Sequence, residues 1–440
     1  MATNLFHQLL FRLITAVFAA VFALTSGVPA LSRALPQTPD DFTPVLRFAV
    51  TSDVHLNGDP DQPAAQRLAV LLQDSYAYAQ GERYAALDAL IVAGDFATTG
   101  DEAEYQLFNS IMARELRPET QLLTMLGNHE FIKYRDEDPT VAYDVYRALV
   151  HEDVDRHLVI NGYHFIACSY APDGKTFTEK KPWLTAQLDA ACADTPDRPV
   201  FVFQHPHPFA TVYGSVNWSD FTVRTVLEHY PQAVDFSGHS HYAPCDPRCI
   251  WQGAFTAVNT GSLSALMGNL DYISGDEDAP GDSAAFWICE ADAQGNVRLK
   301  LYDAVSRRFF EKTDYYLPNP AEKRNHCYTW STLQALDTAP AFPAGAQITA
   351  AQTDGRTVLV FPNAEGYWGA EDYKITVRNG AREAFAATVI SNYVRADATE
   401  MRVDVGALDA GTYTVTIRPY SPYAKGGKAL TGSITVPQAS

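Results

Sequence analysis

The sequence predicts an α/β layered domain followed by a small all-β sandwich, and three features of the chain predict it. Between Leu46 and Gly238 short apolar runs alternate with amphipathic helical patterns, which argues layers of strands and helices. From Phe255 to Ala304 apolar runs follow one another with no helix between them, as antiparallel strands finishing the same core would. Beyond Leu333 the texture changes to short alternating strands divided by turn residues.

The first element in chain order is Leu13–Leu24, LITAVFAAVFAL, an uninterrupted apolar run just after Arg12. It is shorter than the 18 or so residues a spanning helix needs and matches a signal-peptide core. Small residues follow at cleavage spacing, Val28 and Ala30 or Ser32 and Ala34, and no cysteine is present for lipid attachment. Residues 1–34 are therefore expected to be a signal peptide. An uncleaved anchor is the alternative, because the apolar stretch reaches back through Leu9 and Phe11. Either way the protein is expected outside the cytoplasm, secreted or in the cell envelope.

Buried strands are expected at Leu46–Ser52, Ala89–Gly94, Gln121–Gly127, Tyr163–Ser169, Pro199–Gln204 and Ala233–Gly238. Helical patterns lie between several of them, at Gln62–Ala79, Glu102–Leu116 and Lys181–Ala193. The main domain is read as 35–332. A Pro- and Ala-rich linker follows at 333–347, then a β-sandwich over 348–440.

Composition narrows the partners. Of 440 residues, 33 are Lys or Arg and 52 Asp or Glu, a net charge of −19. That balance argues against a nucleic-acid backbone as the main partner and disfavours adhesion to an anionic membrane. Six cysteines are too sparse for a disulfide scaffold. Cys245 and Cys249, in CDPRC, are expected to close a small-loop disulfide, while Cys168 and Cys289 read as buried thiols.

Polar clusters fall at the carboxyl ends of the expected strands: Asp53-Val54-His55, Gly94-Asp95, Gly127-Asn128-His129-Glu130, His205 and Gly238-His239-Ser240-His241. Ligands in open α/β sheets collect at such edges. Carboxylate, imidazole and amide oxygen suit a pair of divalent ions, and two ions about 3.5–4 Å apart can clamp a phosphoryl group. Asp53 and His55 stand at i and i+2, as do His239 and His241, so on a strand each pair would face one side.

D-x-H, G-D, G-N-H-E, a lone His after a strand and G-H-x-H, in this order from Leu46 to Tyr302, resemble the calcineurin-like metallophosphoesterase superfamily. The chain is most similar to its phosphodiesterase and purple-acid-phosphatase-like branches, and GDFATTGDEAEYQLF is similar to bacterial cyclic-nucleotide and glycerophosphodiester phosphodiesterases. The resemblance implies a four-layer α/β/β/α sandwich holding two metal ions, Mn, Zn, Fe or Co. It implies that Asp53, His55, Asp95 and His241 hold one ion, and Asp95, Asn128, His205 and His239 the other. Asp95 would bridge, and His129 would protonate or stabilise the leaving oxygen. A small phosphate ester is then the substrate, a diester favoured over a monoester, hydrolysed by metal-hydroxide attack.

Departures from the pattern are specific. Thr98 stands where many members carry an acidic or amide residue and where purple acid phosphatases place a Tyr ligand, so neither partner is available from that side chain. His207, next to His205, is expected behind the ligands or facing substrate, and Tyr213 in the following loop is a candidate for substrate contact. The C-terminal module resembles fibronectin type III or immunoglobulin-like domains and is open to cell-wall, glycan or protein contact. The rival reading is a non-catalytic surface protein on a degenerate phosphoesterase scaffold, which a lost ligand or a lost His129 would support.

Overall fold

The computed structural model describes residues 34–151, 153–268 and 282–438. All of the expected signal peptide but its last residue, Ala34, lies outside the described residues. Two six-stranded sheets form the centre of the main domain. In the first, Pro44–Thr51, Ala89–Val92 and Gln121–Thr124 run parallel, and Ala285–Asp292, Val297–Asp303 and Arg308–Leu317 extend it antiparallel from the other side of Pro44–Thr51. In the second, Tyr163–Ala167, Val200–Phe203, Ala233–Ser237 and Thr256–Asn259 run parallel between antiparallel edges Arg156–Ile160 and Ile250–Gln252.

These strands read as continuous apolar runs because both of their faces are buried. Phe48, Val50, Ala89 and Ile91 point into the space between the sheets and meet Phe165, Phe201, Phe203 and Phe236 there. Their neighbours Ala49, Leu90, Val92, Ile166 and Val202 point outward, into a core shared with the helices. The helices Pro63–Gly81, Glu102–Glu115 and Lys181–Asp194 supply Leu68, Leu71, Leu72, Tyr105, Phe108, Leu184 and Leu188 to that core. The order helix, sheet, sheet, helix is thus the four-layer arrangement. Local chemistry fixes the helix starts. Pro63 opens the first, and Asp101 with Glu104 forms a capping box on the second.

The C-terminal part is all-β. A three-stranded sheet (Thr349–Thr353, Arg356–Pro362, Glu400–Asp404) faces a four-stranded one (Asp372–Asn379, Arg382–Ile390, Gly411–Tyr420, Leu430–Val436) across Leu359, Phe361, Tyr373, Ile375, Val415 and Ile417. The stretch 333–347 begins inside a helix, Trp330–Leu336, whose Leu333 is buried in the inter-sheet core. The sandwich docks on the main domain. Val394 joins the inter-sheet core, Trp368 Nε1 donates to the Leu333 carbonyl at 3.1 Å, and Arg395 Nε reaches Asp303 at 3.2 Å.

The expected Cys245–Cys249 disulfide is not formed. Both thiols are free: Cys245 Sγ donates to the Tyr393 carbonyl of the sandwich at 3.4 Å, and Cys249 is buried in the core. The short turn Pro247–Cys249 between them directs the two side chains to different partners. Cys168 and Cys289 are buried thiols as expected.

Phe48 is the centre of the inter-sheet packing, with its ring 4.9–6.1 Å from those of Phe165, Phe201, Phe203 and Phe236. Phe48→Ala should lower the unfolding free energy by about 3–5 kcal/mol in urea titration. A loss below about 1 kcal/mol would show that the gap closes by repacking.

Candidate metal centre

The strand ends, not the strands, present the polar side chains. Pro44–Thr51 stops before Asp53, Ala89–Val92 before Asp95, and Ala233–Ser237 before His239. Asp53, His55, Asp95, His239 and His241 have φ of 50°, 52°, 52°, 69° and 56°, half of the ten non-glycine residues with positive φ among the described residues. The expected alternation along a strand is therefore not the device. Left-handed kinks turn the side chains inward, at a typical cost of about 1–3 kcal/mol for each strained residue.

Three glycines make room for this. A Cβ on Gly94 (φ 83°) would stand 2.6 Å from His205 Nδ1; one on Gly127 would strike the Asp95 carboxylate, and one on Gly238 would strike Ser52 and Asp53. Each glycine immediately precedes one candidate ligand and vacates space for another.

Asp53, Asp95 and His205 are each tied by one atom and offer the other. Asp53 Oδ2 accepts from the His239 backbone N–H at 2.9 Å and from Ser52 Oγ, whereas its buried Oδ1 has no hydrogen bond. Asp95 Oδ1 accepts from the His129 N–H at 2.8 Å. His205 Nδ1 donates to the Ala93 carbonyl at 2.9 Å; its buried Nε2 stands 2.9 Å from Asp95 Oδ2, but off the line of a hydrogen bond. Asn128 Oδ1 is likewise buried without a partner. His55 Nε2 and His241 Nε2 approach to 3.0 Å, and His241 Nε2 lies 3.1 Å from Asp53 Oδ1.

Such convergence of lone pairs is unfavourable unless something positive sits among them. Asp53, His55 and His241 form one cluster able to hold a cation; Asp95, His205 and His239 form another; and Asp95 also clusters with His55 and His129. Asp95 thus lies between the two groups. The orphaned atoms and the mixed nitrogen and oxygen donors fit two ions of the Mn, Zn, Fe or Co type.

Charge coupling is strong here. Burial alone would raise the Asp53 carboxyl, but the His241 and His205 imidazoles hold it well below 3.8. Burial would lower His205, yet Asp95 and Asp53 push it up to about 10. His239 is lowered to about 4 by burial and by the charge of His205.

His129 Nδ1 lies 2.8 Å from the Thr98 carbonyl. A carbonyl only accepts, so Nδ1 carries the proton and Nε2 is left towards the centre, 3.9 Å from Asp95 Oδ2. The backbone of residue 98 therefore orients the imidazole where a carboxylate side chain was lacking. His207 is buried between Ser237 Oγ at 3.0 Å and Ser240 Oγ at 2.8 Å, and so supports the loop carrying His239 and His241. Tyr213 packs on Tyr242 beneath Arg248; the aromatic at the centre is Trp218, edge-on to His239 with ring centroids 5.2 Å apart.

The sequence assigned no role to Glu130. Fully buried, it accepts from the backbone N–H groups of Asp95 (3.1 Å), Ala97 (2.9 Å) and Gly127 (2.7 Å), locking two ligand loops together. Its carboxyl is pushed up to about 8, by burial first and then by Asp95. Only its place in G-N-H-E signalled it.

Residues 46–243 match the family model of the calcineurin-like phosphoesterases. Among solved structures the chain is similar to a purple acid phosphatase from yellow lupin (Lupinus luteus) seeds, at 13% identity and TM-score 0.45, over 62% of this chain and 53% of that one. The chain thus spans about half the length of the lupin enzyme. A chitinase from Bacillus thuringiensis aligns at 9% identity and TM-score 0.18, over 89% and 84% of the two chains. Likenesses this distant say nothing of activity. No curated protein matches the chain.

Adding Mn, Zn, Fe or Co to metal-stripped protein should raise Tm, since ligand at a hundredfold excess over Kd adds about 2.7 kcal/mol. Asp95→Ala should abolish most of that rise and leave fewer than two ions per chain by elemental analysis. An unshifted wild-type Tm, or two ions still bound to the variant, would contradict the assignment.

Proposed function

We propose that this chain is an exported, dimetal-dependent phosphoesterase that prefers phosphodiesters to phosphomonoesters. The observation that carries the reading is the pair of clusters meeting at Asp95, with His129 Nε2 directed at their edge. Two cations, when bound there, would supply Lewis acidity to the phosphoryl oxygens and activate a water. The chain's own residues do the rest. Asp53, His55, Asp95, Asn128, His205, His239 and His241 would hold and space the ions. Glu130 fixes two of the loops, and the Thr98 carbonyl fixes His129.

His129 Nε2 is placed to give a proton to the departing oxygen. Burial lowers its pKa below the ordinary 6.5, and an arriving phosphate anion favours the protonated form again. Support for a diester comes from two flanking seats. A recess of about 340 Å³ lined by His55, Gln62, Arg67, Ser264 and Ser283 lies beside one cluster, and Trp218 stands beside the other. A diester has two organic groups to place. Export rests on the Leu13–Leu24 run. A degenerate scaffold is disfavoured, because Asp53, His55, Asp95, His205, His239, His241 and His129 all fall in the three adjoining clusters.

bis-p-Nitrophenyl phosphate should show the higher kcat/KM against p-nitrophenyl phosphate, across the four metals; the reverse order would reject the diester preference. His129→Ala should keep both ions while kcat for an alkyl leaving group falls about 10²–10⁴-fold, with a clearly smaller loss for p-nitrophenolate. Equal losses for both leaving groups would remove the proton-donor role.

A further inference from the structure

Three of the five large apolar side chains exposed among the described residues lie close together in sequence: Val216 (47%) and Trp218 (37%) in a loop, and Phe221 (65%) at the start of the helix Phe221–Leu227 that follows it. The loop borders the His239 side of the centre through Trp218. Its shape is set internally. Asn217 and Trp218 N–H both donate to the Gly214 carbonyl at 3.0 and 3.1 Å, and Ser215 Oγ accepts from the Thr211 N–H at 2.8 Å. Gly214 (φ 83°) lies so close to the Tyr242 ring that a Cβ would overlap it.

The loop is anchored from outside the phosphoesterase domain. The Tyr213 N–H donates to the Arg248 carbonyl at 3.0 Å, and the Arg248 guanidinium lies over the Tyr213 ring at 4.0 Å. Asp246 grips that guanidinium at 2.8 and 2.5 Å, and Arg248 Nη2 also donates to Glu371 Oε1. Glu371 is buried and belongs to the sandwich, where its N–H donates to the Tyr420 carbonyl and its carbonyl accepts from Ser391. A buried ion pair of this kind fixes geometry, since its partners cannot move without leaving a charge uncompensated.

We propose that Val216, Trp218 and Phe221 form the seat for an aromatic group of the ester, and that Arg248, held by Glu371, is the positioning residue through which the C-terminal sandwich sets that seat. The proposal rests on the phosphoesterase reading and adds to it a substrate class and a task for the sandwich. An exposed indole beside a cation-binding imidazole offers a face to an aryl or nucleobase ring, while the phosphoryl group occupies the centre.

Binding of phenylphosphonate and methylphosphonate to the metal-loaded full-length protein, measured by calorimetry, tests this without turnover. The wild type should bind the phenyl compound about fivefold or more tightly, as one aromatic contact allows. Trp218→Ala should erase that preference. Glu371→Gln, which leaves Asp246 on Arg248, should weaken it and raise KM for bis-p-nitrophenyl phosphate while kcat stays within about twofold, as expected for lost positioning alone. Should Glu371→Gln fail to fold, Tyr213→Leu removes the ring beneath Arg248 and must give the same split. Equal affinity of the wild type for the two phosphonates, or a full preference in a folded Glu371 or Tyr213 variant, overturns the proposal. Absence of binding by either phosphonate overturns the phosphoesterase reading as well.

Discussion

At three strand ends a glycine directly precedes a ligand-type residue, and the volume its Cβ would fill is taken by a ligand from elsewhere. His205 occupies that volume at Gly94, Asp95 at Gly127, and Asp53 at Gly238. The two sheets can bring their carboxyl edges this close because Gly94 and Gly238 have no side chain, and Gly127 does the same between neighbouring strands of one sheet. The left-handed φ angles of Asp53, His55, Asp95, His239 and His241 follow from the same crowding. Strain at five positions persists only because the Phe48-centred packing between the sheets holds the strand ends where they are.

Within that frame the polar groups are half satisfied by design. One oxygen of Asp53, one oxygen of Asp95 and one nitrogen of His205 are spent on backbone or hydroxyl partners, which fixes their orientation and leaves the other atom for the centre. Two carboxylates buried side by side draw a proton strongly onto His205, whose pKa is pushed to about 10. Cations at the same place would answer the same field. Glu130 supports this from behind by collecting three backbone N–H groups from two ligand loops.

Much of this was legible in the sequence, because apolar runs ending in Asp, Asn or His are visible without any knowledge of contacts. The ordered motifs pointed to the Asp and His residues that converge in the clusters. The reason for their convergence was not legible: alternation along a strand was the natural expectation for Asp53 and His55, whereas backbone kinks beyond the strand do the work. That Tyr213 lies under Arg248 depended on a contact between segments 35 residues apart. Nor could local sequence show that Cys245 turns to Tyr393 rather than to Cys249, or that the sandwich docks on the main domain. Those facts belong to long-range packing.

The central claim is that one crowded strand edge builds two adjoining cation sites that meet at Asp95. Anomalous diffraction from a crystal of the metal-loaded protein, collected at the absorption edge of the bound metal, tests it most directly. Two peaks about 3.5–4 Å apart are predicted, one among Asp53, His55 and His241 and one among Asn128, His205 and His239, with Asp95 touching both. A single peak, or a peak coordinated by His129, would contradict the account.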